Sequence, residues 1–172
     1  MVMMICLFET ALGTCGVRWS ERGIAEVLMP PAQVPHGTRC VSADRVPQAV
    51  GETIAGIVAL LAGERRDLRS IVLDDDELVE FDQRVYAATR KLGPGETASY
   101  GEIAKAIDVP EAAREVGASL GRNPYPIIVP CHRVLAADGS LRGFSAPGGI
   151  RTKRRMLEIE GAPGFTQQAL FA

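Results

Sequence analysis

The sequence predicts an α+β protein of two small domains, a sheet with one covering helix followed by a mainly helical unit. Strand-like segments joined by tight turns fill the first part of the chain, and apolar residues at helical spacing dominate after residue 77. The acidic run 74–77 separates the two patterns. With 172 residues, 47% of them apolar, the chain has enough hydrophobic side chain for a packed core, which excludes disorder and coiled coil. We therefore expect domains at 1–76 and 77–166.

Short apolar segments separated by turn residues make up most of the N-terminal part. The expected strands are 8–11, 14–19, 24–28 and 68–73. A proline-rich loop precedes a stretch in which apolar residues from Val50 to Leu61 recur at helical spacing, and Gly63 is suited to end that helix. We expect this amphipathic helix to cover one face of the small sheet, and this domain to support the fold.

Helical spacing dominates the C-terminal part. The expected helices are 78–92, 100–107, 110–121 and 150–160. Ser99 and Glu102 have the spacing of a capping box, which starts the second of these helices, and Pro110 suits the first turn of the third. Two short helices joined by a tight turn are typical of the helix-turn-helix, whose second helix commonly contacts DNA, although many helix pairs only pack together.

The charge is unevenly distributed along the chain. There are 19 Lys and Arg residues against 21 Asp and Glu, a near-neutral total that gives no reason to expect a polyanionic partner. The segment 114–155 nevertheless holds eight cations and two anions, so the rest of the chain is acidic. A basic segment of this kind is what a nucleic-acid-binding protein needs.

Nothing in the sequence indicates export or a membrane span. The first eight residues contain no basic side chain before Glu9, and no uncharged apolar run approaches about 20 residues. We therefore expect a cytoplasmic protein whose four cysteines are reduced thiols: Cys6, Cys15, Cys40 and Cys131. With only two histidines and no ligand pair at metal spacing, neither a metal site nor a cofactor is expected.

Residues 123–134 contain the strongest chemical signal. Pro124, Pro126 and Pro130 keep this stretch extended and rigid, and the apolar residues between the last two prolines favour burial. The stretch therefore delivers Cys131 to a fixed position.

The neighbours of Cys131 make it the candidate nucleophile. His132 and Arg133 are groups that can lower the pKa of a thiol, and a histidine oriented by a carboxylate can also take the thiol proton. Glu158 and Glu160 are both candidates for that carboxylate. The alternative is that Cys131 is a small core residue and His132 a surface or capping side chain.

A glycine-rich loop at 143–149 leads into the basic C-terminal helix. It lacks the lysine and serine order of a phosphate-binding P-loop, so nucleotide binding is weakly supported. Glycines instead allow the backbone to approach a flat ligand closely, and Ser145 adds a hydroxyl group.

Several of these segments, in this order, resemble the methylated-DNA–protein-cysteine methyltransferases, also called O6-alkylguanine-DNA alkyltransferases. The matching segments are 99–104, 113–117, Asn123-Pro124, 130–133, Gly148-Gly149 and 157–161. The resemblance is strong over residues 77–161 and looser over the first 76. It departs from the family pattern at Ala146-Pro147, which lengthens the loop, and at Tyr86, where the family often has Trp and where we interpret the change as core packing.

The resemblance implies a role for each site residue. Cys131 would be the methyl acceptor, His132 would act through a water, and Glu160 would help to generate the thiolate. Tyr100 would help to rotate the target nucleotide and give a proton to the departing guanine. Six further residues would contact or position the DNA or the base: Arg114, which would replace the extruded base, Asn123, which would brace the active-site turn, Ser145, which would hydrogen-bond the base, Lys153, which would support the site, Arg133 and Ser99.

The resemblance also implies a fold, a partner and an activity. The N-terminal domain would be ribonuclease H-like and the C-terminal domain winged helix-turn-helix-like. A monomer would bind double-stranded DNA carrying O6-alkylguanine through the minor groove, flip the base, and accept the alkyl group once, because a thioether has no group poised to leave. O4-methylthymine is a further candidate substrate. The alternatives are a non-catalytic sensor that binds alkylguanine, whose known examples have replaced the cysteine, and a cysteine hydrolase, for which no oxyanion donors are identified.

Overall fold

A computed structural model describes residues 3–165 of the chain. The N-terminal part forms a four-stranded sheet in the order β3-β2-β1-β4. Its strands are β1 (Met4–Thr10), β2 (Gly13–Ser20), β3 (Gly23–Leu28) and β4 (Arg39–Cys40). Strand β2 pairs antiparallel with both β1 and β3, whereas β4 pairs parallel with β1. Helix α1 (Gln48–Leu61) follows, and its buried residues include Val50, Ile57 and Leu60.

The C-terminal part is mainly helical. Its elements are α2 (Glu80–Thr89), β5 (Ala98–Ser99), α3 (Tyr100–Ala106), α4 (Ala113–Gly121), a short 3-10 helix (Cys131–Arg133), β6 (Val134–Leu135) and α5 (Ile150–Ile159). The two-residue strands β5 and β6 pair in parallel and bring the start of α3 beside the end of the 3-10 helix. The capping box predicted at Ser99 is present, because its hydroxyl accepts from the Glu102 amide and the Glu102 carboxylate accepts from the Ser99 amide.

The two parts share one hydrophobic core. Buried residues of the sheet, such as Val17, and buried residues of the helices, such as Val85 and Val116, belong to a single continuous cluster. A second, smaller cluster joins Leu157 of α5 to Phe165. In residues 3–165, no helix is both long enough and apolar enough to span a bilayer.

The expected strand at 68–73 is wrong for most of its length. Only its last residue pairs with the sheet, through a parallel bridge between Leu73 and Ile24. The guanidinium of Arg90 donates instead to the carbonyl oxygens of Leu68, Arg69 and Ile71, at 2.9, 3.1 and 2.9 Å. The side chain of Arg90, the residue directly after α2, therefore binds carbonyl oxygens that a strand would have used for hydrogen bonds to its neighbour.

Several element boundaries also differ from expectation. Strand β1 begins at Met4, four residues before the expected start at 8, because its seven residues all pair with β2. Helix α4 begins at Ala113, because residues 110–112 form the turn that follows the left-handed Asp108, whose φ is 63°. Neither change moves a candidate site residue out of the element expected for it.

Candidate active site

The segment that leads to Cys131 is held rigid by side-chain and backbone hydrogen bonds. The Asn123 amide nitrogen donates to the Val129 carbonyl at 2.9 Å, and its oxygen accepts from the Tyr125 amide at 2.9 Å. Between them, Ile127 has a φ of 78°, a conformation that a β-branched residue rarely adopts. The sequence expectation that Asn123 braces this turn agrees with these contacts. Cys131 follows as the first residue of the 3-10 helix and is 8% exposed.

A histidine and a carboxylate form a buried pair next to this cysteine. The His132 side chain is fully buried, and its Nε2 lies 2.8 Å from Oε1 of Glu160, whose side chain is 3% exposed. The pair excludes the alternative that His132 is a surface side chain. Glu158, the other candidate carboxylate, lies 3.9 Å from Arg155 on the outer side of α5. Glu160 is therefore the group that orients the imidazole.

Charge and burial set the protonation states of this pair. Burial alone would raise the pKa of Glu160, but His132 and Arg133 outweigh it and lower that pKa to about 2. Burial lowers the pKa of His132 below its ordinary value, which favours the neutral imidazole. With Nε2–H donating to the carboxylate, Nδ1 carries the lone pair, and it has no hydrogen-bond partner among the described residues. The histidine is thus arranged as a base.

The expectation that Arg133 contacts DNA is not supported by its position. The side chain is buried, and it donates to both carboxylate oxygens of Glu160 at 2.8 and 3.0 Å and to the Leu92 carbonyl at 2.6 Å. Its donors are used inside the protein, so Arg133 holds Glu160 in place instead of reaching a phosphate. The Gly95 amide also donates to Glu160, at 3.2 Å, a contact that the sequence did not suggest.

Lys153 is also internal, so it lies where a site-supporting lysine is expected and does not reach DNA. Its side chain is fully buried, and its ammonium donates to the carbonyls of Val134 and Arg142 at 2.7 and 3.0 Å. Burial lowers the pKa of Lys153 to about 8, although the nearby Cys131 opposes that shift. A cation here supports the site from behind and favours negative charge on the cysteine sulfur.

The thiol of Cys131 is protonated when the site is at rest. Burial raises its pKa, while the Asn123 side chain and the Lys153 charge partly offset that effect. Attack by sulfur therefore requires a base to remove the thiol proton. His132 is the neighbouring group that is arranged to do so.

Tyr100 lies at the start of α3, between the helix pair and the glycine-rich loop. Its hydroxyl donates to the Arg142 carbonyl at 3.0 Å, and the Lys153 ammonium lies 3.5 Å from the same oxygen. A Cβ added at Gly117 of α4 would lie 3.8 Å from the Tyr100 ring, so the ring packs directly against the second helix. The pair of helices α3 and α4 and the site are therefore in contact through this tyrosine.

The remaining predicted contacts lie at the surface. Arg114 is exposed on α4 and makes no hydrogen bond or ion pair within residues 3–165. Ser145 is exposed, and its hydroxyl donates to the Gly121 carbonyl at 2.7 Å. The Ser99 hydroxyl serves as the cap of α3. Contacts of these three residues with DNA stay predictions.

Cys131 opens onto a cleft of about 450 Å³. Asn123, Phe144 and Ser145 line it from the C-terminal part. Residues of the segment 26–33, which follows from β3 in the N-terminal part, line it as well. This second set was missed in the sequence, where only the consecutive prolines at 30 and 31 marked the segment as rigid. Among the described residues, no group of histidine, cysteine and carboxylate side chains is placed to bind a metal ion.

A buried cysteine with a histidine–carboxylate pair beside it, in contact with a pair of short helices, defines a protein that uses an activated thiol as its nucleophile. A family model for the DNA-binding domain of 6-O-methylguanine DNA methyltransferase matches residues 80–162. The methylated-DNA–protein-cysteine methyltransferase of Mycobacterium leprae is 44% identical over 123 residues, which are 72% of each chain. The enzyme of that name from Mycobacterium bovis is 50% identical over 92 residues, about half of each chain.

Solved structures show the same likeness over nearly the whole chain. The crystal structure of Mycobacterium tuberculosis OGT in complex with DNA superposes with a TM-score of 0.78 at 34% identity, covering 94% of this chain and 96% of that one. The O6-methylguanine-DNA methyltransferase of the archaeon Pyrococcus kodakaraensis superposes with a TM-score of 0.68 at 26% identity. The chain belongs to the methylated-DNA–protein-cysteine methyltransferase family.

Proposed function

We propose that this protein repairs DNA by accepting the methyl group of O6-methylguanine on Cys131. The observation that carries the proposal is the buried His132–Glu160 pair beside a cysteine that opens onto a cleft. The likeness to a DNA-bound relative supports DNA as the partner. A base inside a duplex cannot reach a buried thiol, so the target nucleotide must leave the stack first.

The helix pair supplies the DNA-binding surface. Arg114 is exposed on α4, where its guanidinium can fill the space left by the extruded base and offset part of the cost of unstacking, which is a few kcal/mol. Exposed cations of the segment 114–155, such as Arg151 and Arg154, neutralise phosphates on either side. Entry through the minor groove suits a protein that recognises damage at any sequence.

The transfer is one displacement at the methyl carbon. His132 Nδ1 takes the proton of the Cys131 thiol, directly or through a water, and Glu160 stabilises the imidazolium that results. A bond forms between the sulfur and the methyl carbon as the bond between that carbon and guanine O6 breaks. Tyr100 donates a proton to the departing guanine, which restores the normal base. Tyr100 then regains a proton through the site. The thioether product cannot be hydrolysed readily, so each molecule acts once.

The same proposal includes the finer description of the fold and the domains. The parallel pairing of β4 with β1 and the covering helix α1 support a ribonuclease H-like N-terminal domain over 1–76. The helix pair and the short β5-β6 sheet support a winged helix-turn-helix-like domain over 77–166. We further propose that a monomer acts in the cytoplasm, without a cofactor, and that O4-methylthymine is a second substrate.

Mass spectrometry after incubation with duplex DNA containing O6-methylguanine tests the proposal. We expect one added methyl group per molecule, on the peptide that carries Cys131, and restored guanine in the DNA. C131A should bind the same duplex without transfer, whereas a matched substitution of an exposed cysteine, C40A, should transfer normally. If the wild-type protein binds the damaged duplex and its Cys131 peptide stays unmodified, the chain is a damage sensor and the transferase proposal is wrong.

A further inference from the structure

The cleft at Cys131 has a wall that comes from the N-terminal part of the chain. Residues 28–32 line the same cleft as the nucleophile, although about 100 residues separate them from it in the sequence. A domain that only supported the fold would have no need to border the reacting sulfur. The position of this segment gives it direct access to whatever group the cysteine accepts.

Hydrogen bonds and close packing fix this wall. The Val27 amide donates to the Pro124 carbonyl at 2.9 Å, which joins the end of β3 to the segment that leads to Cys131. The Ala32 amide donates to the Thr14 carbonyl at 3.0 Å, which ties the far end of the wall to β2. Between these two anchors, the Met29 side chain is 5% exposed and belongs to the main core. The wall is thus part of the packed structure and not a loose loop.

The chemistry of the wall suits an alkyl chain better than a base. Four of its side chains are apolar, Leu28, Met29, Pro31 and Ala32, and the polar side chain of Gln33 follows them in the lining. The carboxylate of Glu26 at its edge is already paired with Arg18, at 2.6 Å. Ser145, which the resemblance assigns to the base, comes from the C-terminal part of the cleft, whereas the Asn123 side chain is already bonded to Val129 and Tyr125. Residues 28–32 therefore offer hydrophobic contact to a group in the cleft, together with apolar residues of the C-terminal part such as Leu120 and Phe144.

Under the proposed function, the cleft has to hold the flipped guanine together with its alkyl group. At about 450 Å³ it falls within the range of sites that hold whole small molecules. Resting on the proposed function, we propose that residues 28–32 set the upper size of the alkyl group that Cys131 accepts, with Ala32 as the position at which added bulk closes the cleft. A wall of small and flexible apolar side chains leaves room for groups longer than methyl.

A series of duplexes that differ only in the alkyl group tests this inference. Single-turnover transfer to Cys131 is measured from duplexes carrying O6-methyl, O6-ethyl, O6-butyl and O6-benzylguanine. We expect A32F to slow the transfer of butyl or benzyl at least tenfold more than the transfer of methyl, each relative to the wild-type protein. The matched control is V34F, two residues along the same segment and outside the cleft lining, where the side chain is 40% exposed. V34F should follow the wild-type protein for every group, and duplex affinity should be equal for all three proteins.

Three results would overturn the inference. If A32F transferred all four alkyl groups at the wild-type rates, residues 28–32 would not contact the alkyl group. Equal slowing of methyl and benzyl transfer would mean that the substitution perturbs the site in general. Wild-type protein that accepts methyl but not ethyl would mean that the cleft volume is not open to alkyl groups. A wild-type protein that accepts no methyl group would instead contradict the proposed function, and the methyl duplex therefore distinguishes the two failures.

Discussion

The imidazole of His132 donates from Nε2 to Oε1 of Glu160 across 2.8 Å, and both side chains are buried. The same carboxylate also accepts from Arg133 and from the Gly95 amide. One carboxylate therefore orients the base and is itself fixed by two further donors. This arrangement leaves the opposite ring nitrogen, Nδ1, as the acceptor for the thiol proton.

Replacing Glu160 with glutamine should slow methyl transfer by about 100-fold or more, because the imidazolium formed during proton removal would lose its counterion. Arg133 would also lose its buried partner, a change that costs about 3–5 kcal/mol of stability. Rapid-quench transfer assays measure the rate, and denaturant unfolding measures the stability. The matched control E158Q removes a half-exposed carboxylate of the same helical region and should leave both values unchanged. Equal transfer by E160Q and E158Q would contradict the assigned role.

Acid should destabilise the protein in two steps of the same sign. The pKa of His132 is lowered by burial, so below its ordinary value of 6.5 the unfolded chain binds a proton that the folded protein does not. The pKa of Glu160 is lowered to about 2 from 4.5, so the stability it contributes is present above 4.5 and is lost as the pH falls towards 2. In both ranges the unfolded state binds more protons, and stability therefore falls as pH falls.

Urea unfolding at pH 7.5, 5.5 and 4 measures this dependence. The free energy of unfolding of the wild-type protein should decrease at each step. In H132Q the free energy of unfolding should decrease much less between pH 7.5 and 5.5, because the variant lacks the imidazole that takes up a proton on unfolding. His36, the other histidine, is present in both proteins and does not affect their difference. Parallel curves for the two proteins would show that His132 takes up no proton on unfolding.

Local sequence signals predicted where the candidate nucleophile lies and where helix α3 begins. The prolines of 123–134, the residue pair Cys131-His132 and the capping box at Ser99 act over a few residues, and the structure places them as the sequence indicated. The sequence could not distinguish Glu158 from Glu160 as the partner of His132, whereas their positions at the end of α5 do. Glu158 lies on the outer side of α5, whereas Glu160 follows the end of that helix and turns inward.

Contacts between distant residues account for what the sequence did not predict. Arg90, about 20 residues later in the chain, donates hydrogen bonds to carbonyl oxygens of the segment 68–71. These bonds prevent the strand that local β-propensity favoured. The sequence alone did not show that Arg133, two residues after Cys131, is buried. Its partner is Glu160, which lies 27 residues later in the chain. The N-terminal wall of the cleft depends on a still longer separation, so no local pattern could have placed it there.

Removing the hydroxyl of Tyr100 should slow transfer without unfolding the protein. Y100F loses the donor that we assign to the departing guanine, so we expect the rate to fall by about tenfold while duplex affinity changes little. Y86F is the matched control, because the buried Tyr86 hydroxyl donates to the Ser119 carbonyl at 2.8 Å and Tyr86 is not among the residues that line the cleft. That variant should lose about 1 kcal/mol of stability and keep its transfer rate. A normal rate in Y100F would remove the tyrosine from the proton path.

Replacing Arg114 with alanine should impair transfer only where the target base has to be extruded. The side chain is exposed on α4 and bonded to none of the described residues, so R114A should keep its stability within about 0.5 kcal/mol. Transfer from a fully paired duplex should fall about tenfold or more, because nothing then fills the space left by the flipped base. A lesion in an unpaired bulge costs less to extrude, so the same variant should be impaired much less there. R151A removes an exposed cation of the same basic segment. It should reduce transfer from both substrates equally, because it removes only an attraction to phosphates. If R114A and R151A give the same ratio between paired and bulged substrates, Arg114 contributes charge and does not support the flipped state.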